Sequence, residues 1–334
     1  MPLDLPLADI DPVGPTYTVL KDLTVGENHL PIFSPESNYL ACSDRAGYVL
    51  TLWDVSNKKP CYSVEVPARI SVIRFFKSRE WLLCGCADGT IGIWDYKKGK
   101  LKQTLDCPGS RPYSMSCLEV SPRGSFFASG GMYLAIWPAA KLEPRMVEIE
   151  AKDRPKDQLS TMAYSADGKK IVATTPRRLR VWDAESGEQL LETKEGIGSI
   201  SKLVYSPDGK SFATGGTADG KTGQGWVKLW DPATLKHTTP VNAFKGLLYC
   251  LAYSPDGKYL LAGGVDGVSA PSYIRVWETS TGKQVNAFYV RETEGVYLAI
   301  SPDGKQLAVS GYSGTEVRLY AMSDVVSASS GKPK

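Results

Sequence analysis

The sequence predicts an all-β fold, a seven-bladed β-propeller, on the basis of three repeating observations. Turns of the form Ser-Pro-Asp-Gly-Lys begin at Ser206, Ser254 and Ser301. A short apolar strand that closes on an aromatic residue recurs seven times, at Trp53, Trp94, Trp137, Trp182, Trp230, Trp277 and Tyr320. The intervals between these aromatics are 41, 43, 45, 48, 47 and 43 residues. A period of this size, with four short strands in each unit, is typical of a propeller blade.

One unit, residues 248–289, shows the pattern most clearly. It predicts four antiparallel strands, at 248–253, 259–263, 274–278 and 284–289, with a tight turn after the first. Pro fixes φ at the first corner of that turn, and Gly accepts the left-handed conformation that closes it. A single four-stranded meander is marginal in water, so the unit needs neighbouring copies to bury its faces.

The other units repeat this pattern with altered turns. Turns that keep only part of this pattern begin at Ser34, Ser121 and Ser165. The last unit has only three strands, 296–300, 306–309 and 316–320, and we expect residues 16–20 to supply its fourth strand. This arrangement closes the ring and removes exposed sheet edges. The predicted organisation is an N-terminal arm over 1–15, one propeller over 16–322 and a disordered tail over 323–334.

The second strand of each unit has one position that takes small residues. Aligning the seven units places these residues there: Cys42, Cys84, Ser129, Ala173, Thr214, Ala262 and Val309. Small side chains let adjacent blades approach each other near the narrow centre of the ring. The tryptophan that ends the third strand is expected to wedge between blades, as a structural element.

These residues carry a resemblance to a known family. The chain resembles the WD-repeat propellers over about residues 16–322, and Trp-Asp closes the third strand in four of the seven units. Members usually carry Gly-His before the first strand and an Asp in the loop between the second and third strands. Here His29 and His237 are the only histidines and neither follows a Gly, although Asp44, Asp88, Asp219 and Asp266 could be the loop Asp. In this departure the chain looks like divergent, bacterial members of the family.

Composition limits the function classes. A net charge of +3 with no Lys/Arg run longer than two argues against a nucleic-acid partner. The N-terminus lacks a signal-peptide pattern, and no apolar run has the length of a membrane span. Seven cysteines without a regular spacing are expected to be free thiols in a reducing cytoplasm.

Three motifs suggest chemistry but have simpler structural explanations. Residues 215–222 match the nucleotide-binding pattern G-x-x-x-x-G-K-[ST], yet a strand is predicted to follow where that site needs a helix. Cys84 and Cys86 could share a strand face as metal ligands, but Cys84 occupies the small core position. The Asp-Gly pairs lack the acidic spacing of calcium loops and are expected to be turns. We therefore predict no cofactor and no metal site.

Candidate binding residues cluster on one face. In the family, the loops that join second to third strands share a face with the connections between blades. Arg, Tyr and Trp dominate binding hot spots, and the residues of these types that the sequence offers on that face are Arg111, Tyr113, Arg177, Arg178, Trp226 and Tyr273. Trp226 could instead cover a blade edge, and exposed arginines are usually solvated.

The resemblance implies a non-catalytic scaffold for protein or peptide partners, acting as a monomer or as a subunit of a hetero-complex. A propeller enzyme, such as a lactonase-like hydrolase or a quinone-dependent dehydrogenase, is an alternative that would need a metal at the channel mouth. Its scattered candidate ligands are Glu27, Asn28, Asp157 and Glu294. A third possibility is that Arg111, Arg177 and Arg178 capture an acidic ligand. Binding of that ligand would weaken steeply as the salt concentration rises.

Overall fold

The computed structural model of the chain describes twelve segments, over residues 15–20, 31–44, 46–107, 115–148, 158–175, 178–193, 199–217, 223–238, 241–267, 270–290, 295–311 and 316–327. These residues form seven antiparallel sheets of four strands each and one short helix. The predicted all-β, seven-bladed propeller is therefore confirmed. The predicted N-terminal arm lies almost entirely outside the described residues.

Each sheet is one blade, and its strands follow one another from the centre of the ring outward. The strands of blades one to three are β2 (Ile32–Phe33), β3 (Tyr39–Ser43), β4 (Val49–Asp54), β5 (Lys59–Glu65), β6 (Ile70–Phe76), β7 (Trp81–Cys86), β8 (Thr90–Asp95), β9 (Lys100–Asp106), β10 (Cys117–Val120), β11 (Phe126–Gly130), β12 (Tyr133–Pro138) and β13 (Arg145–Glu148). Those of blades four and five are β14 (Thr161–Tyr164), β15 (Lys170–Thr174), β16 (Leu179–Asp183), β17 (Gln189–Glu192), β18 (Ser199–Tyr205), β19 (Phe212–Thr217), β20 (Gly225–Trp230) and β21 (Val241–Phe244). Those of blades six and seven are β22 (Leu248–Tyr253), β23 (Tyr259–Val265), β24 (Ser272–Glu278), β25 (Gln284–Val290), β26 (Val296–Ile300), β27 (Gln306–Gly311), β28 (Val317–Ala321) and, from the start of the chain, β1 (Tyr17–Leu20).

The seven inner strands form a closed circle. Each inner strand contacts the inner strand of the next blade, and β2 contacts both β6 of blade two and β26 of blade seven. The outer edge of blade seven is β1, which pairs antiparallel with β28 so that Leu20 faces Val317. The predicted closure by the N-terminal strand is confirmed.

The blades pack through their third-strand aromatics. Trp137, Trp182, Trp230 and Trp277 are at most 1% exposed, because each lies between two sheets. Each third strand pairs with the second strand of its own blade. The small residues predicted in the second strands are buried. In two blades the small residue also accepts a hydrogen bond from the indole: Trp137 donates to Ser129 (2.9 Å) and Trp230 donates to Thr214 (2.7 Å).

One end of the ring, here called the turn face, carries the turns between first and second strands. In the Ser-x-Asp-Gly turns of blades four to seven, the Ser hydroxyl donates to the Asp carboxylate at 2.6–2.7 Å, and the Gly has a φ of 71–72°. The Gly of one turn lies against the preceding blade's turn; a Cβ atom at Gly304, for example, would lie 3.9 Å from Cδ of Pro255. Asp303 closes this circle of turns by donating its backbone N–H to the Ser37 hydroxyl of blade one (3.1 Å).

The start of the predicted tail is ordered, which corrects the prediction that residues 323–334 are disordered. Met322–Val326 form helix α1, in which Met322 and Val325 are buried. The side chain of Asn286 in β25 donates to the Val325 carbonyl at 2.8 Å. The helix depends on these contacts with blade six, since one and a half turns of helix are unstable alone in water. Residues 328–334 lie outside the described part of the chain.

Candidate functional site: the loop face of the ring

The end of the ring opposite the turn face, here called the loop face, carries the connections between second and third strands and those between blades. Its three longest blade-to-blade connections span residues 21–31, 107–116 and 149–160, most of which lie outside the described residues. The predicted binding residues Arg111, Tyr113 and Arg177 also lie outside the described residues, so their positions stay predictions. The described part of the face includes two exposed apolar side chains, Tyr48 (50%) and Leu247 (45%).

Arg178 lies on the loop face of blade four and is held by a carboxylate. Its guanidinium is 3.1 Å from the Oε1 atom of Glu192, which also accepts a bond from Nε of Arg180 at 2.7 Å. Burial alone would raise the pKa of Glu192, but the bonds from Arg180 and Arg178 outweigh it and lower this pKa. Arg180 is buried, whereas the Arg178 side chain keeps 27% exposure and can still face a partner.

Blade six presents a second charged cluster at this face, built around Arg275. Its guanidinium donates to both carboxylate oxygens of Asp266, with Nη2 at 2.7 Å and Nη1 at 3.2 Å, and to the Ala243 carbonyl. It also lies over the ring of Phe244, 4.6 Å from the centroid. This bidentate, stacked geometry fixes the loop that carries Asp266, because both partners of the pair lose mobility together.

The two predicted aromatic contacts differ in their surroundings. Tyr273, in β24, is half-buried against the core of blades five and six, and its ring lies 6.0 Å from the Arg275 guanidinium. Trp226, in β20, is only 5% exposed and packs with Val181, Ile200 and other core residues between blades four and five. The prediction that Trp226 contacts a partner is therefore corrected: its side chain is part of the core between two blades.

Sequence reasoning missed a set of cations in the third strands. Two residues before the closing aromatic, blades four to seven carry a basic residue that pairs across the sheet with the small second-strand position: Arg180, Lys228, Arg275 and Arg318. The signal was present as Leu-Arg-Val-Trp, Ile-Arg-Val-Trp and Val-Arg-Leu-Tyr. A small residue opposite leaves room for a long side chain, which then reaches towards the loop face.

The loop aspartates serve their own loops. Asp44 accepts the backbone N–H groups of Tyr48 and Val49, each at 2.8 Å, and Asp88 accepts both the backbone N–H and the hydroxyl of Thr90. Asp219 lies outside the described residues. Within the described blades, these carboxylates order the loop face without a histidine.

The alternative enzymatic function depends on a metal site at the mouth of the channel. Its candidate ligands, Glu27, Asn28, Asp157 and Glu294, all lie outside the described residues, and the described part of the chain contains no group of three or more His, Cys, Asp or Glu side chains placed to hold a metal. The nucleotide-like motif joins strand β19 to strand β20, as predicted. The described part of the chain has no helix with the length and hydropathy that a membrane crossing requires.

The seven cysteines are free thiols, and most of them are buried. Cys84 and Cys86 are buried in β7, and only Cys61 is exposed among the seven. Burial raises the pKa of Cys42 to about 12 and that of Cys86 to about 11. Burial also raises the pKa of Cys84, whose side chain fills the small position predicted for it in the second strand of blade two, so its setting fits the structural interpretation.

Comparison with known proteins agrees with the architecture. The sequence model of the WD domain, G-beta repeat family matches residues 59–95 and 233–278, which contain the third strands of blades two and six. The chain therefore carries WD repeats. Among its relatives, Periodic tryptophan protein 2 of Arabidopsis thaliana is 23% identical over 259 residues, 70% of this chain. Serine-threonine kinase receptor-associated protein of Rattus norvegicus is 25% identical over 227 residues, 67% of this chain.

A third relative of this WD-repeat protein is Eukaryotic translation initiation factor 3 subunit I of Candida glabrata, 27% identical over 158 residues, or 40% of this chain. The matched stretches cover only 27%, 58% and 43% of the Arabidopsis, rat and Candida proteins respectively. Two of these names describe a receptor-associated protein and a subunit of an assembly. Kinship with such WD-repeat proteins supports a role in protein interaction at the level of the family.

Proposed function

We propose that this WD-repeat protein is a non-catalytic scaffold of the cytoplasm that binds a protein or peptide partner across its loop face, within a hetero-complex. The observation that carries the proposal is the difference between the two ends of the ring. The turn face consists largely of short, similar turns packed against one another, whereas the loop face receives the three longest blade-to-blade connections. A rigid ring that holds varied loops at fixed spacing offers a partner a broad, shaped surface.

The chemistry of the described loop face fits a protein partner. Tyr48 and Leu247 expose apolar surface, and Arg178 adds a partly exposed guanidinium beside Glu192. Aromatic and arginine side chains supply most of the energy at protein interfaces, because they combine a large contact area with specific hydrogen bonds. We propose that Arg111, Tyr113, Arg177, Arg178 and Tyr273 contribute to the contact, and we leave out the buried Trp226.

The experiment compares two triple variants that remove the same positive charge from opposite ends of the ring. The first changes Arg111, Arg177 and Arg178 to Ala on the loop face. The second changes Lys210, Lys258 and Lys305 to Ala on the turn face, where their side chains are 84%, 72% and 80% exposed. Wild-type protein and both variants are immobilised, and captured proteins are quantified from native lysate by mass spectrometry.

A specific partner is expected to be captured at least about tenfold less by the loop-face variant, because each hot-spot residue contributes about 1–2 kcal/mol or more. The turn-face variant should retain the partner at the wild-type level. Equal capture by both variants, or loss confined to the turn-face variant, would contradict the assignment of the loop face. Thermal unfolding of both variants checks that the ring is intact.

A further inference from the structure

A cavity at the centre of the ring is lined by charged and hydroxyl side chains, whereas the core between the blades is apolar. It has a volume of about 320 Å³ and is lined by residues of the inner strands of blades two to six. Arg74 of β6, Glu119 of β10 and Lys202 of β18 all line it. Hydroxyl groups complete much of its wall, from Ser71, Ser116, Ser160, Thr161 and Ser201.

The strand register brings Arg74 and Glu119 together from different blades. Arg74 pairs with Leu83, and Glu119 pairs with Ala128. Both partners lie one residue before the small position of their second strand. The two side chains therefore stand at the same level of the channel in adjacent blades. Nη2 of Arg74 lies 2.5 Å from Oε1 of Glu119, so this pair is charge-neutral.

Lys202 lies closer to the loop face than this ion pair, since it pairs with Gly215, one residue after the small position Thr214. Within the described part of the chain, no carboxylate forms an ion pair with its ammonium group. The charged groups that act on it are the Arg74 guanidinium, which repels it, and the Cys250 thiol, which favours its charged form only when ionised. Burial, followed by the opposing effect of Cys250 and the repulsion from Arg74, leaves the pKa of Lys202 below its usual value.

The cavity thus contains two cationic groups and one carboxylate. A protonated Lys202 gives its wall a net charge of +1, and an uncompensated charge in a low-dielectric site is unfavourable. An anion that entered the cavity would supply the missing counter-charge, and the hydroxyls of Ser71, Ser160 and Thr161 could donate hydrogen bonds to it. The hydroxyls of Ser116 and Ser201 already donate to backbone carbonyls. The volume lies at the lower end of the range for small-molecule sites, which suits a small ion.

We propose that the central cavity binds a small anion, whose carboxylate or phosphate group lies between Lys202 and Arg74 and accepts hydrogen bonds from the hydroxyls of the wall. This site is separate from the loop face and from the arginines proposed to contact a protein partner. The shared chemistry is an oxyanion of one or two negative charges, and inorganic phosphate and succinate represent its two sources.

Calorimetric titration of the full chain with inorganic phosphate and with succinate tests the proposal at constant ionic strength. Saturable binding of at least one anion is expected in the wild type, with succinamide as the neutral control ligand. Lys202→Met removes the charge with little change of side-chain length and should weaken binding about tenfold or more, as expected for one charge-assisted hydrogen bond. Lys210→Met, in the exposed turn of the same blade, is the matched protein control and should bind like the wild type.

A second measurement keeps the test valid if Lys202→Met does not fold. The ¹³Cε resonance of Lys202 in the wild type should shift on saturation with the anion, and its titration should move to higher pH because the anion stabilises the ammonium form. Affinity should fall as the pH rises through the pKa of Lys202. The other titratable groups of this wall are Arg74, Glu119 and Cys117, and the Cys250 thiol also acts on Lys202. Absence of saturable binding of both anions, equal weakening by the two methionine variants, or an unchanged Lys202 resonance would each overturn the proposal.

Discussion

Tyr17 and Tyr320, close to opposite ends of the chain, face each other across the strand pair that closes the ring. They are partners in the β1–β28 register, and their ring centroids are 5.2 Å apart. Three residues further along β1, Leu20 is 1% exposed and joins the core between blades seven and one, with Phe33 and Trp53. The first strand of the chain therefore connects the last blade to the first.

Leu20→Ala is expected to lower the free energy of unfolding by about 2–5 kcal/mol, because it removes a buried side chain and leaves a cavity at the closure. Urea unfolding followed by tryptophan fluorescence measures this loss. Thr16→Ala, at an exposed position just before the strand, is the control and should change stability by less than about 0.5 kcal/mol. An unchanged urea midpoint for Leu20→Ala would contradict the closure.

Two substitutions test the hydrogen bonds of the third-strand indoles, because one adds an acceptor and the other removes one. Trp277 has no acceptor for its indole N–H among the described residues, and its blade has Ala262 where blade three has Ser129. Ala262→Ser should stabilise the protein by about 0.5–1.5 kcal/mol, because it satisfies a buried donor. Thr214→Val should destabilise it by about 1–3 kcal/mol, because it removes the acceptor of the Trp230 indole and keeps the shape. Thermal unfolding measures both, and a destabilised Ala262→Ser variant would show that the blade has no space for the hydroxyl.

The turn carboxylates predict a specific loss of stability in acid. Hydrogen bonds from the Ser165 and Ser206 hydroxyls, with further bonds from the backbone, lower the pKa values of Asp167 and Asp208 below 3.8. A folded-state pKa below the unfolded value gives stability that is present above about pH 4 and is lost as the pH falls through the folded-state pKa.

The double variant Asp167→Asn, Asp208→Asn keeps the acceptor oxygens and removes the ionisation, so its melting temperature should decline less between pH 6 and pH 3. A reduction of the turn contribution by about half is expected, since two of the four such turns are changed. Glu188→Gln, at an exposed carboxylate outside these turns, serves as the control. A variant that loses stability as steeply as the wild type would refute the role of the turns.

Thiol labelling should distinguish one cysteine from the others. Cys61 is exposed in the outer strand β5, whereas burial raises the pKa values of Cys117 and Cys250 to about 12. At pH 8 Cys61 should react with a maleimide at least about a hundredfold faster than the buried thiols, which are both protonated and inaccessible. Mass spectrometry of Cys61→Ser should show that the fast product is gone, and Cys86→Ser should leave it unchanged. Rapid labelling of a buried cysteine would indicate that its blade opens.

The sequence predicted the elements that repeat and missed those that occur once. The small position of Ala173 and the buried Trp182 could be found because seven units share them. Helix α1 was missed because Met322–Val326 are too few to show a helical period, and their order comes from a contact with Asn286 in another blade. Trp226 was misassigned because a strand residue beside a long loop resembles a loop aromatic until the neighbouring blade that covers it is known.

By itself, the sequence determined the number of blades, the turns that begin at a serine in six of them and the closure by the N-terminal strand. These features depend on local turn chemistry and on a period that repeats along the chain. Only the tertiary structure decided that Arg74 meets Glu119 and that Lys202 shares their cavity, because these residues lie in three different blades and face one another only once the ring is closed. Their distances depend on the register of each strand and the curvature of the ring, which no single repeat encodes.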